Sequence, residues 1–388
     1  MEGLKDNGLN MTNNIEALQK SDHQDDLYTA SQMKLMWKRF LRHRLAIPAT
    51  VLIVLLYFLA AFGDFLSTHD PREYNTNHIF APPQIPRLFD RWKLSPFVYG
   101  LDSHRHPETL RMIHEPDKSK KIPIDFFVHG PEYKLLGLFK TDIHLMGPSE
   151  EGAAFYLMGT DRMGRDLWSR IAYGARISMT VGLVGVAISL FLGILLGGIS
   201  GLVGGYVDLG IQRVIEILIA LPSIPLWLML SAAIPPHWTV VQVYFSITVI
   251  LSFIGWTGLA RETRGRFLAL REEDFVMAAR AYGSGQFSLI FRHMVPSFIS
   301  HIIATTTLAI PGMIIAETSL SFLSLGMRPP AISWGVLLFE AQNLQSVALA
   351  PWLLIPAAFV FITVVALNFA GDGLRDAADP YSAISSEK

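Results

Sequence analysis

Six stretches of this 388-residue chain are apolar over lengths near the roughly 20 residues that a bilayer core requires, and this sets what the chain can fold into. The first runs from 45 to about 66, directly behind Lys34, Lys38, Arg39, Arg42 and Arg44. The others lie at about 177–202, 210–234, 240–260, 298–322 and 351–370. At 51% hydrophobic residues, the chain exceeds the roughly 45–50% of ordinary soluble domains. The pattern predicts an all-α integral membrane protein with six transmembrane helices. The first run is too long, and too far inside the chain, for a cleaved signal peptide, so it reads as an uncleaved anchor.

Between the first two runs, residues 68–158 carry many prolines and charges with scattered aromatics, including Phe80, Phe89, Trp92, Phe97, Phe126, Phe127 and Tyr133. Prolines at this density exclude long helices, so the segment is expected to be a small packed aqueous insert. Lys and Arg in short flanks orient the chain. Cations cluster before the first span and again between the fourth and fifth, as Arg261, Arg264, Arg266, Arg271, Arg280 and Arg292. The connection at 235–239 has neither Lys nor Arg, and 323–350 has only Arg328. Six spans then alternate consistently, with both termini cytoplasmic and the insert extracytoplasmic. The expected division is a tail at 1–44, a first span at 45–67, the insert at 68–158, a core at 159–376 and a tail at 377–388.

Several chemistries are excluded. With no cysteine there is no disulfide, thiolate nucleophile or cysteine metal site. A net charge of −1 gives no global footprint for nucleic acid. No Gly-x-x-x-x-Gly-Lys-Ser/Thr phosphate loop occurs, and no lysine lies between Lys140 and Lys388. Any ATP chemistry must come from another chain.

The cytoplasmic loop at 263–297 is the most informative segment. Glu272, Glu273 and Asp274 suit a helix N-terminus, Gly283 suits a positive-φ stop, and Pro296 suits the first turn of the next span. Phe275, Ala278, Ala279 and Tyr282 recur at helical spacing, which predicts one apolar face with small residues at its centre. Read from the pattern alone, this is equally an amphipathic helix lying on lipid. Ala278, Ala279, Gly283 and Pro296 fall on the loop pattern of ABC-importer permeases, although Met277 replaces its Glu, and His293 and Val295 replace its hydrophobic residue and Leu. Four segments resemble the oligopeptide, dipeptide and nickel permeases of that family, specifically their second, C-type subunit. They are Gly-Thr-Asp-Arg-Met-Gly-Arg-Asp at 159–166, Ala-Ala-Arg-Ala-Tyr-Gly at 278–283 with Arg292, His293 and Pro296, Glu-Thr-Ser-Leu-Ser-Phe-Leu-Ser-Leu-Gly at 317–326 with Ser333, Trp334 and Gly335, and Asn-Phe-Ala-Gly-Asp-Gly-Leu-Arg-Asp at 368–376.

The resemblance, which spans 159–376 and leaves the insert uncovered, implies the type I importer permease fold. It implies a heterodimer with a second permease subunit in a bacterial cytoplasmic membrane, two cytoplasmic ATPase subunits that hold ATP and Mg, and an extracytoplasmic substrate-binding protein. No cofactor is expected on this chain. Ala278, Ala279, Arg280, Gly283, Arg292, His293 and Pro296 are the expected ATPase-coupling residues. Peptides are the default cargo, with nickel chelates, opines and glycosides left open as alternatives.

Charges in or near spans are costly. Arg213 and Glu216, three apart on a helix, are expected to pair. Glu317 is expected either to face the translocation path or to pair structurally. Asp161 reads as a helix N-cap, and Trp168, Ile171 and Ala172 as one side of an interfacial helix. There Asp161, Arg165 and Asp166 either pin an outer gate or form a local ion pair. His104, His106 and His114 with Glu115 look more like ordinary loop histidines than a metal site. Two other function classes remain. Ser200 and His301 superficially resemble the dyad of rhomboid intramembrane proteases, although Gly193, Gly197, Gly198, Ser200, Gly201, Gly204 and Gly205 read more simply as a small-residue packing stripe. A receptor with an outer ligand-binding insert shares the same topology.

Overall fold

The computed structural model describes residues 32–378 apart from 91, 92, 109–111, 151 and 154. Residues 1–31 of the expected tail at 1–44, residues 379–388 of the expected C-terminal tail and Trp92 therefore lie outside the described residues. Helix α1 (Gln32–Phe40) leads into α2 (Ala46–Ala61) and a single turn, α3 (Gly63–Leu66). The insert follows as strands β1 (Arg87–Asp90), β2 (Lys93–Arg105), β3 (Met112–Leu135) and β4 (Phe139–Pro148). The helical body comprises α4 (Leu167–Val203), α5 (Gly205–Ala220), α6 (Ser223–Ala232), α7 (Val240–Leu270), α8 (Asp274–Ala281), α9 (Ile299–Phe322), α10 (Trp334–Glu340), α11 (Leu344–Leu349) and α12 (Ile355–Ala378).

The all-α expectation is corrected by the insert, which is a four-stranded antiparallel sheet in the order β1-β2-β3-β4. Its local cause is a period of two: Ile122 and Ile124 are buried while Lys121, Pro123 and Asp125 are exposed. Prolines fit because β3 pairs with β2 through its first half, up to Pro123, and with β4 from Ile124 onward. Each half therefore has one free edge, where a missing N–H costs no ladder bond. Pro131 falls where the register slips between His129 and Tyr133. Val98, Ile122, Ile124 and Phe155 form the small core of this unit.

Among the described residues, four segments are long and apolar enough to cross a membrane: α4, α7, α9 and Pro351–Ala378. A fifth arises if α5 and α6 make one span, bent by 89° at the Leu221-Pro222 break. Helix α2, with 16 residues, is shorter. Helix α4 has 37 residues and so runs about 55 Å, well beyond a hydrocarbon core of about 30 Å. It replaces the expected short span and separate interfacial helix with one continuous rod. Asp161 is not its cap: the Asp166 side chain accepts from Ser169 N instead. Ile171 and Ala172 are fully buried against protein rather than laid on lipid.

The small-residue stripe sets the closest helix contact. A Cβ at Gly193 would lie 2.6 Å from Leu259 Cβ, and one at Gly201 would lie 2.7 Å from Phe267 Cβ, while Gly197 abuts the Ala260 backbone. Positions rising along α4 thus meet positions rising along α7, so the two helices run parallel. Helix α9 runs the other way, since Ser178 reaches Glu317 while Gly182 abuts Ile310 and Ile314. Gly371 of α12 abuts Leu308, and Gly373 abuts Ala46 and Phe40, placing the end of α12 beside the start of α2. One end of the bundle therefore gathers 40–46, 200–208, 264–308 and 371–377. The other gathers 62–68, 166–178 and 333–359, and the sheet sits there, with the Phe127 ring tilted against that of Phe65 at 6.3 Å.

Candidate functional site

The arginine-rich loop is a folded platform. Helix α8 ends at Gly283, whose φ is +84°; Ser284 N donates to Ala279 O at 3.1 Å and Gly283 N to Arg280 O at 3.0 Å. That pair of bonds is the Schellman stop, and it explains the glycine. A π-helical stretch, Leu289–Met294, then carries Arg292 and His293. Pro296 sits within the short helix Val295–Ser297, one turn before α9.

The loop's predicted single apolar face is split in two. Val276 and Ala279 point inward and pack with Phe267, Leu289, Ile290 and Met294 against α4 residues Ile194 and Leu202. Phe275, Ala278, Tyr282 and Phe287 are exposed, as are Arg280, Arg292 and Pro296. Val276 as an anchor was absent from the sequence reading; its three-residue spacing to Ala279 was the available signal. Near this platform Arg264 grips Asp208 with Nε and Nη2, both at 2.6 Å, joining α7 to α5.

At the opposite end, Asp161 accepts from Arg165 Nε at 2.7 Å and from Arg170, while Glu340 Oε1 accepts from Arg165 Nη2 at 2.6 Å and Arg170 Nη1 at 3.2 Å. Two acids and two arginines balance in a nearly dry site. Asp161 is 1% and Arg170 1% exposed, which identifies a paired structural network rather than free charges. Asp166 stands beside it, accepting from Thr68 Oγ1 and Ser169 N. Arg170 and Glu340 were missed, because only the folded chain brings 170 to 340.

Glu317 lies fully buried in α9, its carboxylate turned into its own chain. Oε1 accepts from Ser321 Oγ at 2.8 Å and Ser333 Oγ at 2.9 Å, and Oε2 from Ser178 Oγ at 3.3 Å. Arg213 and Glu216 pair at 2.8 Å on an exposed helix face, as their spacing predicts. The protease alternative fails on chemistry. Ser200 donates to Asp208 and accepts from Gln212 Nε2 at 3.1 Å, while His301 faces Glu262 at 3.5 Å. His114 uses both ring nitrogens within the insert, on Ser103 Oγ at 2.7 Å and Ile79 O at 2.8 Å.

Residues 174–381, more than half of the chain, match the family described as binding-protein-dependent transport system inner membrane component. The chain belongs to that family. Residues 31–83 match the N-terminal TM domain of oligopeptide transport permease C. Neither match includes residues 84–173, which contain the whole sheet. The chain is 39% identical over 241 residues to the oligopeptide transport system permease protein OppC of Haemophilus influenzae, covering 62% of this chain and 75% of that one. It is 37% identical over 230 residues to the dipeptide transport system permease protein DppC of Bacillus subtilis, covering 59% and 69%. A putative peptide permease of Brucella suis is 38% identical, covering 62% and 78%. A solved structure titled as inward-facing conformations of the MetNI methionine ABC transporter aligns with 54% of this chain and 96% of its own, at TM-score 0.41 and 16% identity. As a member of this inner membrane component family, the chain is a multi-pass transport subunit and not an enzyme.

Proposed function

We propose that this chain is one of the two membrane subunits of an ABC importer for peptides, driven by partner ATPases and fed by an extracytoplasmic binding protein. The observation that carries the reading is the exposed apolar and cationic surface of α8, presented on a packed base at the bundle end that also holds the arginine-rich flanks. Phe275, Ala278 and Tyr282 form the surface offered to an ATPase groove, with Arg280 and Arg292 beside it. Ala279 and Gly283 hold its shape, and Pro296 starts the connection that carries its movement into α9. Helix α2 counts as the sixth span, short in itself and extended by α3. The directions of α2, α4, α7, α9 and α12, with the bent α5–α6 pair taken as the return crossing between the parallel α4 and α7, support cytoplasmic termini and an extracytoplasmic sheet on a bacterial cytoplasmic membrane. Peptide cargo follows from the relatives' names. The Asp161, Arg165 and Glu340 network, with Asp166 and the serine-held Glu317, braces the outer ends of α4, α9 and α10 so that they move as one gate element.

Because the native chain has no cysteine, single cysteines report topology directly. In sealed cells a membrane-impermeant maleimide should label Glu115→Cys on β3 and leave Tyr282→Cys unlabelled until the membrane is opened. Labelling of Tyr282→Cys from outside would sink the importer reading.

A further inference from the structure

At the turn between β3 and β4, Leu135, Leu136, Leu138 and Phe139 surround Gly137. Leu136 is 53%, Leu138 76% and Phe139 67% exposed, so these side chains lie largely outside any core of the described residues. Scattered exposed apolar residues are ordinary, but a contiguous run marks a docking surface. The turn geometry sharpens this. Leu138 N donates to Leu135 O at 3.0 Å, and both central residues stand at positive φ, Leu136 at +51° and Gly137 at +75°. A water-exposed turn of this kind ordinarily carries Asn or Asp before the glycine, because a short polar side chain tolerates the left-handed region better than leucine does. Lysines bound the run. Lys134 and Lys140 are register partners across the two strands, a like-charge pairing that is unfavourable by itself. Both are exposed, no acid lies between them in the sequence, and among the described residues neither is ion-paired.

The position of the hairpin points to what covers its tip. Phe127 of β3 meets Phe65 of α3 at 6.3 Å, and β3 and β4 both pack on that helical turn. Six residues nearer the tip, burial first and then the Asp64 and Asp142 carboxylates push the Tyr133 phenol above its usual range, so Tyr133 is still within electrostatic reach of α3. Asp64 pairs with Arg176 Nη2 at 2.9 Å, and the apolar run of α4 starts at the next residue, so this pair marks the edge of the membrane-spanning body. From Tyr133 to Gly137 the chain advances four residues, about 13 Å of strand at roughly 3.3 Å each. The headgroup layer next to that edge is about 5–8 Å deep. The tip is thus within reach of the leaflet, and its two chemistries match the leaflet's two layers: apolar side chains for the acyl boundary and lysines for the phosphates.

We propose that the β3–β4 hairpin is a membrane anchor, with Leu136, Leu138 and Phe139 entering the leaflet beside α3 while Lys134 and Lys140 hold the phosphates of anionic phospholipids. It ties the sheet to the bilayer at the end of the bundle where α4 begins. The anchor rests on the chain's being a membrane subunit, and not on its cargo or its ATPase partners.

The full chain labelled with a polarity-sensitive fluorophore at Leu138→Cys, in nanodiscs of phosphatidylcholine with phosphatidylglycerol, tests this against the same label at Glu115→Cys. Lipid carrying a nitroxide high on its acyl chain should quench the tip label about threefold more than the Glu115→Cys label. Leu136→Asn with Phe139→Ser, both exposed positions, should erase that difference with unchanged thermal stability. Lys134→Gln with Lys140→Gln should weaken it in the mixed discs but not in pure phosphatidylcholine, since each lysine near an anionic surface favours contact about fivefold. Equal quenching of the two labels, or quenching in mixed discs that either double variant leaves intact, would overturn the anchor. A tip label shielded from water only after the other subunits of the importer are added would assign the tip to a protein partner and overturn it as well.

Discussion

Removing the Arg170 guanidinium would leave Asp161 and Glu340 facing each other across a dry site with only Arg165 to hold them. Breaking a buried ion network from one side costs about 3–5 kcal/mol, because the stranded charge keeps its desolvation penalty. Arg170→Met is therefore expected to lower the unfolding midpoint in detergent sharply. By contrast, Arg213→Met, which breaks an exposed pair, should shift stability by no more than about 0.5 kcal/mol. Equal effects of the two would contradict the network's role. At this scale the sequence showed which charges needed explaining but not their partners. Asp161 and Arg165 are four residues apart and legible, whereas Glu340 is brought in from 175 positions away.

Helix α8 makes a sharper distinction at the scale of an element. Its inward side is Val276 and Ala279, and its outward side is Phe275, Ala278 and Tyr282. Overpacking the inward side costs about 1–3 kcal/mol and distorts the loop, so Ala279→Trp should reduce folded yield as well as transport. Tyr282→Ala removes an exposed ring and should leave folding intact while lowering peptide-stimulated ATPase activity of the assembled importer several-fold. A folded, fully coupled Tyr282→Ala importer would remove this surface from the coupling role. The insert carries its own pH signature. His78 is held below the usual histidine range by burial first and then by His114 and His69 nearby. Its unfolded form therefore takes up protons more readily than its folded form as pH falls below about 6.5. The insert should be most stable above that pH and weaken below it. His78→Asn should flatten this acid-side loss, which protease resistance of the sheet across pH 5–8 would measure.

Across the whole molecule, α4 is the axis, parallel to α7 through its glycines, antiparallel to α9 through Ser178 and Glu317, with the sheet at the end where α4 begins. The apolar runs predicted a multi-span helical body from the sequence alone, because bilayer thickness acts on local composition. The Gly283 stop and the helix before it were legible for the same reason: a helical turn and its cap close within a few residues. The sheet was hidden because its two-residue alternation is short, broken by prolines and slipped at bulges, so only long-range pairing of β3 with two partners makes it stable. Which side of α8 faces inward, how Arg170 meets Glu340, and the placing of the β3–β4 hairpin beside α3 were decided by tertiary structure alone. Each depends on bringing distant segments together, and no local rule of sequence encodes that distance.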